Sequence, residues 1–199
     1  VCADAGVPLM VGYRMQTDPV VRRLKDLVDA GFIGDPIHVH ATMSQTMLGE
    51  LTGDPDQWRL DPDRSGGCAL MDIGIYPLNT TRFVLDADPV AVSGHTRTEH
   101  EAFEGVDEHA DFRLEFPNGV TAMCTVSQNA THASRLEITG TDGRVVLDPA
   151  FYEREEREVA VERGDVRMDV EVEPVHQVEE EFAYFGHHLL TETPFYPDG

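Results

Sequence analysis

The chain has 199 residues, enough to bury one good hydrophobic core and little more. Its 37 Asp and Glu residues against 15 Lys and Arg give a formal net charge of -22, and Lys25 is the only lysine. No basic patch could neutralise phosphates, which excludes nucleic acids and anionic membranes as partners.

The acidic residues are not gathered in one run. They are spread over segments that also carry regular apolar periodicity, which indicates a folded acidic surface rather than a disordered tail. We interpret this surface as an adaptation to high salt. At about 1 M salt the Debye length is only about 3 Å, so repulsion between carboxylates is screened. The alternative is an ordinary acidic protein that works at low salt.

The cysteines and histidines give no sign of a metal site. Cys2, Cys68 and Cys124 lack a paired motif, which is typical of a reducing cytoplasm and predicts neither disulfides nor zinc. His38 and His40 share one face of a predicted strand, but no third ligand is obvious. No apolar stretch approaches the roughly 20 residues of a membrane span, and the first residues do not resemble a signal peptide.

The beginning of the chain predicts a strand followed by a helix. The opening VCADAG resembles the last turn of a helix, from which we expect a segment upstream of it. Residues 9–13 predict a short buried strand. Thr17 or Asp18 then caps a helix with Pro19 at its first position. The apolar residues of this helix recur on one face, namely Val20, Val21, Leu24, Leu27 and Val28.

A second strand and a long loop follow. Residues 36–46 predict a strand with its two histidines on one face and Val39 and Ala41 on the other. Residues 47–66 predict a long polar loop that contains the only tryptophan, Trp58. Long ordered loops tend to be functional.

The most informative stretch is RSGGCALMDIGIYPLN, which runs from Arg64 to Asn79. In a helix of about 100° per residue, the acid Asp72, the phenol Tyr76 and the carboxamide Asn79 would fall in one narrow sector with Phe83. The packing side would be formed by Leu70, Met71, Ile73, Gly74, Leu78, Val84 and Leu85. We interpret the polar sector as a reactive face; the alternative is the solvated face of an ordinary amphipathic helix.

Within this stretch Asp72 and Tyr76 are four residues apart, so the carboxylate could orient the phenol hydroxyl. Pro77 has no N–H, and the helix should therefore kink or begin afresh at Tyr76. Gly66 and Gly67 allow close approach of the chain and leave unpaired amides at the helix start.

From residue 89 to residue 173 the chain predicts strands joined by tight turns. Asn118-Gly119, Asp142-Gly143 and Gly164-Asp165 are hairpin signals. They predict Phe112, Leu114 and Phe116 opposite Thr125, Met123 and Thr121, Ile138 opposite Leu147, and Val161 and Val159 opposite Met168 and Val170. A final helix over residues 177–190 has core spacing at Val178, Phe182, Phe185 and Leu189.

Together these elements predict an α+β fold with an open, largely antiparallel sheet and helices packed on one face. No G-x-G-x-x-G follows a strand, so the sequence encodes no dinucleotide-binding fold. The first hairpin register also places Val120, Ala122, Cys124 and Val126 opposite the Phe112 and Met123 set. A sheet that is apolar on both faces would suit association with a second copy.

Four motifs together resemble the glucose-fructose oxidoreductase and inositol dehydrogenase family, in its sugar-oxidising branch. They are GYR at residues 12–14, QWRL at residues 57–60, the glycine pair at 66–67 and MDIGIYPLN at residues 71–79. The resemblance covers nearly the whole chain and weakens in the 154–173 hairpin. It identifies residues 1–199 as a C-terminal substrate-binding and oligomerisation domain, truncated at both ends, of a two-domain enzyme.

The resemblance implies that an N-terminal Rossmann domain binds NADP and that this domain supplies the substrate side of an aldose-to-lactone oxidation. Tyr76 matches the family's catalytic tyrosine and could also touch the cofactor, and Asp72 matches its neighbouring acid. The family's E-K-P motif, whose lysine tunes the tyrosine, is not in this sequence. We therefore expect the isolated 199 residues to be inactive, and the parent to be a cytoplasmic homodimer or homotetramer that associates through the sheet face.

Arg14, Trp58 and Arg59 are further candidates for lining a sugar site, since guanidinium donors and an aromatic face suit a polyol. Their alternative is structural, with the arginines bonding loop carbonyls and the tryptophan packing the loop. Asn79 could bond a sugar hydroxyl, or it could simply be solvated on the helix surface. A non-catalytic association module is the alternative function, and such a module would not need Asp72, Tyr76 and Asn79.

Overall fold

Eight strands in the part of the chain that the structure describes form one sheet. The structure is a computed structural model and describes residues 1–54, 57–152, 157–173 and 175–196. The strands are β1 Pro36–Thr46, β2 Ala91–Arg97, β3 His109–Glu115, β4 Thr121–Ser127, β5 Asn129–Gly140, β6 Gly143–Asp148, β7 Glu158–Arg163 and β8 Val166–Val170. Their order across the sheet is β2-β3-β4-β1-β5-β6-β7-β8, and among these described strands only the β1–β4 pair is parallel. The predicted open, largely antiparallel sheet is thus confirmed.

Helices cover one face of this sheet, as the α+β prediction required. They are α1 Cys2–Ala5, α2 Pro19–Asp29, α3 Leu48–Gly53, α4 Pro62–Ser65, α5 Ile75–Leu85 and α6 Gln177–Thr191, with a π-helical turn at Ala69–Gly74 and 3-10 turns at Arg14–Gln16, Trp58–Leu60 and Glu101–Phe103. The main core lies between the sheet and helices α2 and α5. None of the helices in the described residues is long and apolar enough to cross a bilayer.

Helix α2 follows the sequence closely. The Asp18 carboxylate accepts hydrogen bonds from the N–H groups of Val20, at 2.8 Å, and Val21, and Pro19 occupies the first helical position. All five predicted apolar residues are buried. The bounds of β1 and the sidedness of its histidines are also as predicted.

The predicted strand at residues 9–13 does not form. Leu9 and Val11 are 48% and 50% exposed, and only a single bridge at Met10 has strand character before the 3-10 turn. Only Tyr13 of this segment is buried. Apart from the bridge at Met10, the apolar run forms no strand in the described residues, so hydrophobicity alone did not specify a strand.

The register predicted for the Asn118-Gly119 hairpin is wrong by one residue. Phe112 pairs with Cys124 and Leu114 with Ala122, because the loop has three residues, 117–119, instead of two. Pro117 has no N–H to pair with Val120, so Phe116 N–H bonds to Val120 C=O at 2.9 Å instead.

A slip of one residue exchanges the faces of a strand. Phe112, Leu114 and Phe116 consequently share the buried face with Val120, Ala122, Cys124 and Val126, while Met123 is 48% exposed. The argument for a sheet that is apolar on both sides is therefore wrong.

The two later hairpins differ in outcome. Val161 pairs with Met168 and Val159 with Val170, as predicted. Ile138 pairs with Val145 rather than Leu147, because the turn lies at residues 141–142. A Cβ on Gly140 would come within 2.3 Å of the Ile33 carbonyl oxygen. This glycine serves a close approach to the α2–β1 connection, which sequence spacing did not reveal.

Helix α6 forms where predicted, but its apolar stripe is not core. Phe182 is 72% exposed and Leu189 is 42% exposed, whereas Gln177 is fully buried. In the described chain the helix therefore packs through polar contacts at its first turns.

Candidate functional site

The candidate site is built on the segment that runs through the π-helical turn into α5. The Asp107 carboxylate fixes its start: Oδ1 accepts from Cys68 N–H at 2.7 Å and Oδ2 from Leu70 N–H at 2.6 Å, while the Asp107 carbonyl accepts from Ala69 N–H. These amides were expected to be unpaired. Because a carboxylate from a distant loop already bonds them, this helix start is not an anion site.

The π-helical turn alters which side chains face the core. Met71, expected on the packing side, is 58% exposed, whereas Pro77, Thr80 and Thr81 are buried. A π-helix bonds residue i to i+5, so the angular positions of a 3.6-residue helix do not apply through this turn. The change from π to α geometry falls at Ile75, next to Tyr76, close to where Pro77 predicted a break.

Asp72 lies in a polar cluster drawn from three elements. Its Oδ2 accepts from Gln128 Nε2 at 2.6 Å and lies 3.0 Å from Arg59 Nε. Gln128 is fully buried, and its Oε1 accepts from Gln45 Nε2 at 2.8 Å. The buried amide and the guanidinium together hold the carboxylate in one place, with a fifth of its side chain still accessible.

The QWRL motif forms the outer wall of this cluster. The Arg59 guanidinium carbon lies 4.6 Å from the centre of the Trp58 ring, and Gln57 Oε1 accepts from Arg59 N–H at 3.1 Å. Trp58 is 41% exposed. The predicted neighbours Asp72, Arg59 and Trp58 are thus brought together, and the loop that carries Trp58 and Arg59 contains short helices rather than being wholly irregular.

Tyr76 is partly buried between aromatic rings. Its ring centre lies 6.2 Å from that of Tyr13 and 6.4 Å from that of Phe151, and the Arg14 guanidinium carbon lies 4.8 Å from its centre. In the described residues no group hydrogen-bonds to the Tyr76 hydroxyl, and Asp72 bonds to Gln128 rather than to the phenol. The hydroxyl is therefore not oriented by Asp72 as we expected.

Tyr13 holds the backbone at this point. Its hydroxyl donates to the Tyr76 carbonyl oxygen at 2.8 Å and lies 2.7 Å from Thr80 Oγ1. Burial raises the pKa of Tyr13, and the hydrogen bond with Thr80 only partly offsets that effect. Tyr13 is therefore a buried structural phenol, in contrast to Tyr76.

Arg14 is held by two acceptors beneath the Tyr76 ring. One terminal nitrogen donates to Gln177 Oε1, and the other donates to the Phe151 carbonyl oxygen at 2.9 Å. Glu181, one turn further along α6, lies next to this segment. Burial raises the pKa of Glu181, against the opposing charge of Arg14 and a backbone hydrogen bond from Tyr13.

Asn79 joins neither the cluster around Asp72 nor the residues around the Tyr76 ring. Its Oδ1 accepts from Arg82 at 2.9 Å, and Arg82 in turn pairs with Asp88 near the end of α5. The sequence reasoning missed Gln45, Gln128, Asp107, Gln177 and Glu181, which reach the site from other elements. No local motif pointed to them.

Metal binding finds no support among the described side chains. Within residues 1–54, 57–152, 157–173 and 175–196, no three His, Cys, Asp or Glu side chains are grouped as metal ligands. His38 and His40 have ring centres 5.1 Å apart on the exposed sheet face.

Comparison with known proteins places these motifs in context. Residues 21–146 match the sequence profile described as the GFO/IDH/MocA C-terminal domain. The chain is 52% identical over 200 residues to D-xylose 1-dehydrogenase [NADP(+)] of Haloarcula marismortui, covering 100% of this chain and 55% of that protein. It is 32% identical over 150 residues to D-xylose 1-dehydrogenase (NADP(+)) 2 of Haloferax volcanii, covering 75% of this chain and 43% of that protein.

Solved structures are similar over almost the whole chain. An aldose-aldose oxidoreductase from Caulobacter crescentus, complexed with glycerol, superposes with a TM-score of 0.89 at 30% identity and covers 99% of this chain and 58% of its own. KijD10, a 3-ketoreductase from Actinomadura kijaniata in complex with NADP and TDP-benzene, has a TM-score of 0.80 at 25% identity, covering 96% and 57%. The chain thus spans about half the length of the relatives it matches.

Proposed function

The chain belongs to the GFO/IDH/MocA family, whose C-terminal domain it matches, and on this basis we propose that it is the sugar-binding half of an NADP-dependent oxidoreductase. The proposed reaction oxidises an aldose to its lactone. The observation that carries the proposal is the Tyr76 phenol. Its hydroxyl has no hydrogen-bond partner in the described part of the chain, while a guanidinium lies against its ring. Tyr13, the neighbouring phenol, is buried and fully engaged.

In the proposed mechanism Tyr76 is the proton-transfer residue. Oxidation of a sugar C–OH breaks the C–H bond as a hydride leaves and the O–H bond as a proton leaves, and a carbonyl forms. The Tyr76 oxygen, as phenolate, takes that proton, and the Arg14 guanidinium carbon lies 4.8 Å from the centre of the Tyr76 ring. A bound NADP+ would supply the acceptor for that hydride.

The sugar itself would be held by two groups of side chains. One is the cluster of Asp72, Arg59 and Trp58, and the other is the Arg14 guanidinium beside Tyr76. Asp72 would accept hydrogen bonds from sugar hydroxyls through its accessible edge, while Arg59 and Arg14 would donate to sugar oxygens. Trp58 would offer its exposed ring as an apolar platform. Asn79 lies outside these groups, with its carbonyl oxygen held by Arg82, and in this proposal only its amide nitrogen would donate to the sugar.

The residues described here do not supply a phosphate cradle. The amides at the start of the π-helical turn are bonded to the Asp107 carboxylate, and no strand leads into a glycine-rich helix start. We therefore propose that most of NADP is held by parts of the protein outside this chain, with Tyr76 at the edge of its site. For the same reason the isolated 199 residues are expected not to turn over sugar.

The test uses the complete protein in about 2 M KCl, with NADP+ reduction by xylose and glucose followed at 340 nm. Tyr76→Phe should lower kcat at least roughly 100-fold, because general-base catalysis contributes about that much or more. Tyr196→Phe, an exposed phenol outside the site, is the matched control and should be as active as the parent. An active Tyr76→Phe variant, or a parent that oxidises neither sugar, would refute the proposal.

We also propose that copies associate through the exposed sheet face, on the strength of its charge. In a chain of net charge -22, this face holds a third of the cations in the sequence, and several pair with acids on neighbouring strands. The arginines are Arg97, Arg113, Arg135, Arg144 and Arg167. This local balance lowers the repulsion between two copies that the rest of the surface would produce.

Sedimentation of the complete protein at high salt tests this association. Arg144→Glu, which places a third acid beside Glu137 and Glu162, should shift the protein toward monomer. Arg22→Glu, on helix α2 away from the sheet face, is the control. A parent that sediments as a monomer would refute association.

A further inference from the structure

Gln177 is a fully buried amide that joins two charged groups of opposite sign. It is the first residue of α6, and its Nε2 donates to Asp18 Oδ2 while its Oε1 accepts from Arg14. A carboxylate only accepts hydrogen bonds, and a guanidinium only donates them. The amide can therefore satisfy both neighbours in one orientation only, with its nitrogen toward Asp18 and its oxygen toward Arg14.

The Asp18 carboxylate, to which the Gln177 nitrogen donates, is held in place by several other groups. Asp18 is fully buried, caps helix α2 through Val20 N–H, and is paired with Arg157 at 2.6 Å and 3.0 Å. The Arg157 side chain is only 4% exposed. A buried carboxylate with so many donors does not move without losing them, so it provides a fixed reference for the amide.

The Gln177 oxygen contacts Arg14, which lies at the candidate site. Gln177 Oε1 and the Phe151 carbonyl oxygen accept from its two terminal nitrogens, and these acceptors fix the plane of the guanidinium against the Tyr76 ring. Without the amide oxygen, only the Phe151 carbonyl remains to hold the guanidinium. The guanidinium could then turn away from the phenol while keeping one hydrogen bond.

We infer that Gln177 is a positioning residue for the reaction, whose side-chain oxygen holds the Arg14 guanidinium over Tyr76 while its nitrogen ties helix α6 to Asp18. This inference rests on the proposed function, because it assigns Gln177 a kinetic role only if Tyr76 exchanges the proton. Arg14 is the group that contacts the reacting phenol, and Gln177 acts through Arg14. The same amide also stabilises the fold, so the test must separate the two roles.

Two substitutions in the complete protein make that separation. Gln177→Glu keeps an oxygen for Arg14 but removes the N–H that Asp18 receives, whereas Gln177→Met has similar length and offers neither. Both should melt at a lower temperature than the parent, because Asp18 loses a donor in each. Only Gln177→Met should lose kcat, by roughly 10-fold or more, since a misplacement of about 1 Å in a site can cost up to about 100-fold. The KM for sugar should change much less than kcat.

The controls identify which statement fails. Glu179→Met, an exposed change in the same helix turn, should match the parent in melting temperature and in kcat. Equal kcat loss in the two Gln177 variants, or no loss in either, would overturn the positioning role. If Tyr76→Phe remains active, it is the proposed function that fails. If Tyr76→Phe is inactive and Gln177→Met is fully active, only the present inference fails.

Discussion

Asp107 Oδ1 lies 2.8 Å from the position that a Cβ on Gly67 would occupy. Gly67 also has a φ of +148°, a backbone conformation that residues with side chains rarely adopt. The glycine thus lets the chain pass close to the carboxylate that caps the π-helical turn. The placement of Asp72 and Tyr76 depends on this approach, because both lie within the nine residues that follow Gly67.

Gly67→Ala should therefore damage the site as well as the fold. The strained backbone and the displaced Asp107 carboxylate should cost about 1–3 kcal/mol of unfolding free energy. Gly66→Ala is the matched control, since its Cβ would meet no atom within 4 Å although its φ is +70°. Chemical denaturation of both variants gives the comparison. Equal losses would show that the backbone conformation matters and the Asp107 contact does not.

Sequence reasoning succeeded where a contact is local. Asp18 and Pro19 mark the start of α2 because a cap and a fixed φ act within one turn, and the Gly164-Asp165 hairpin pairs as its turn chemistry predicts. It failed at Pro117, where one missing N–H lengthened a loop and reversed the faces of a strand. Gln128 and Gln177 escaped notice because their partners are distant in the sequence. Asp72 lies 56 residues from Gln128, and Asp18 and Arg14 lie 159 and 163 residues from Gln177.

Arg59→Gln should weaken sugar binding more than it weakens the fold. Arg59 Nε lies 3.0 Å from Asp72, and its guanidinium stacks near Trp58, so the change removes a cation and a donor from the proposed sugar site. We expect the KM for xylose to rise roughly 10-fold, equivalent to about 1.4 kcal/mol. Arg97→Gln, which removes a cation paired with exposed Glu99, should leave KM unchanged. Steady-state kinetics at saturating NADP+ give the result, and an unchanged KM in Arg59→Gln would remove Arg59 from the sugar site.

Glu108 should give the fold part of its acid sensitivity. Burial alone would raise the pKa of Glu108, but hydrogen bonds from Asn129 Nδ2 and from the backbone N–H groups of His100 and Glu99 outweigh burial and leave it below its usual value. A carboxyl whose pKa is lower in the folded state stabilises the fold above its unfolded pKa, about 4.3. That contribution is lost as the pH falls through the folded-state value.

Glu108→Gln should accordingly lower stability at neutral pH and flatten the loss of stability below about pH 4.3. Melting temperatures by circular dichroism between about pH 3 and pH 7 give both effects. Glu104→Gln, an exposed change nearby, should leave the loss of stability at low pH unchanged. The prediction would be contradicted if the melting temperature of Glu108→Gln fell as steeply at low pH as that of the parent.

The net charge of -22 should make the fold depend on salt. At about 0.1 M salt the Debye length is about 10 Å and exposed carboxylates repel one another across the surface, whereas at about 1 M it is about 3 Å. Raising KCl from about 0.1 M to about 2 M should therefore raise the melting temperature by roughly 10 °C, which for a domain of this size corresponds to about 3 kcal/mol. Neutralising two exposed acids, Glu171→Gln with Glu173→Gln, should make the dependence shallower, because fewer like charges remain to be screened. A melting temperature that KCl does not change would mean that the acidic surface is not an adaptation to salt, since repulsion between its carboxylates would then cost the fold nothing measurable.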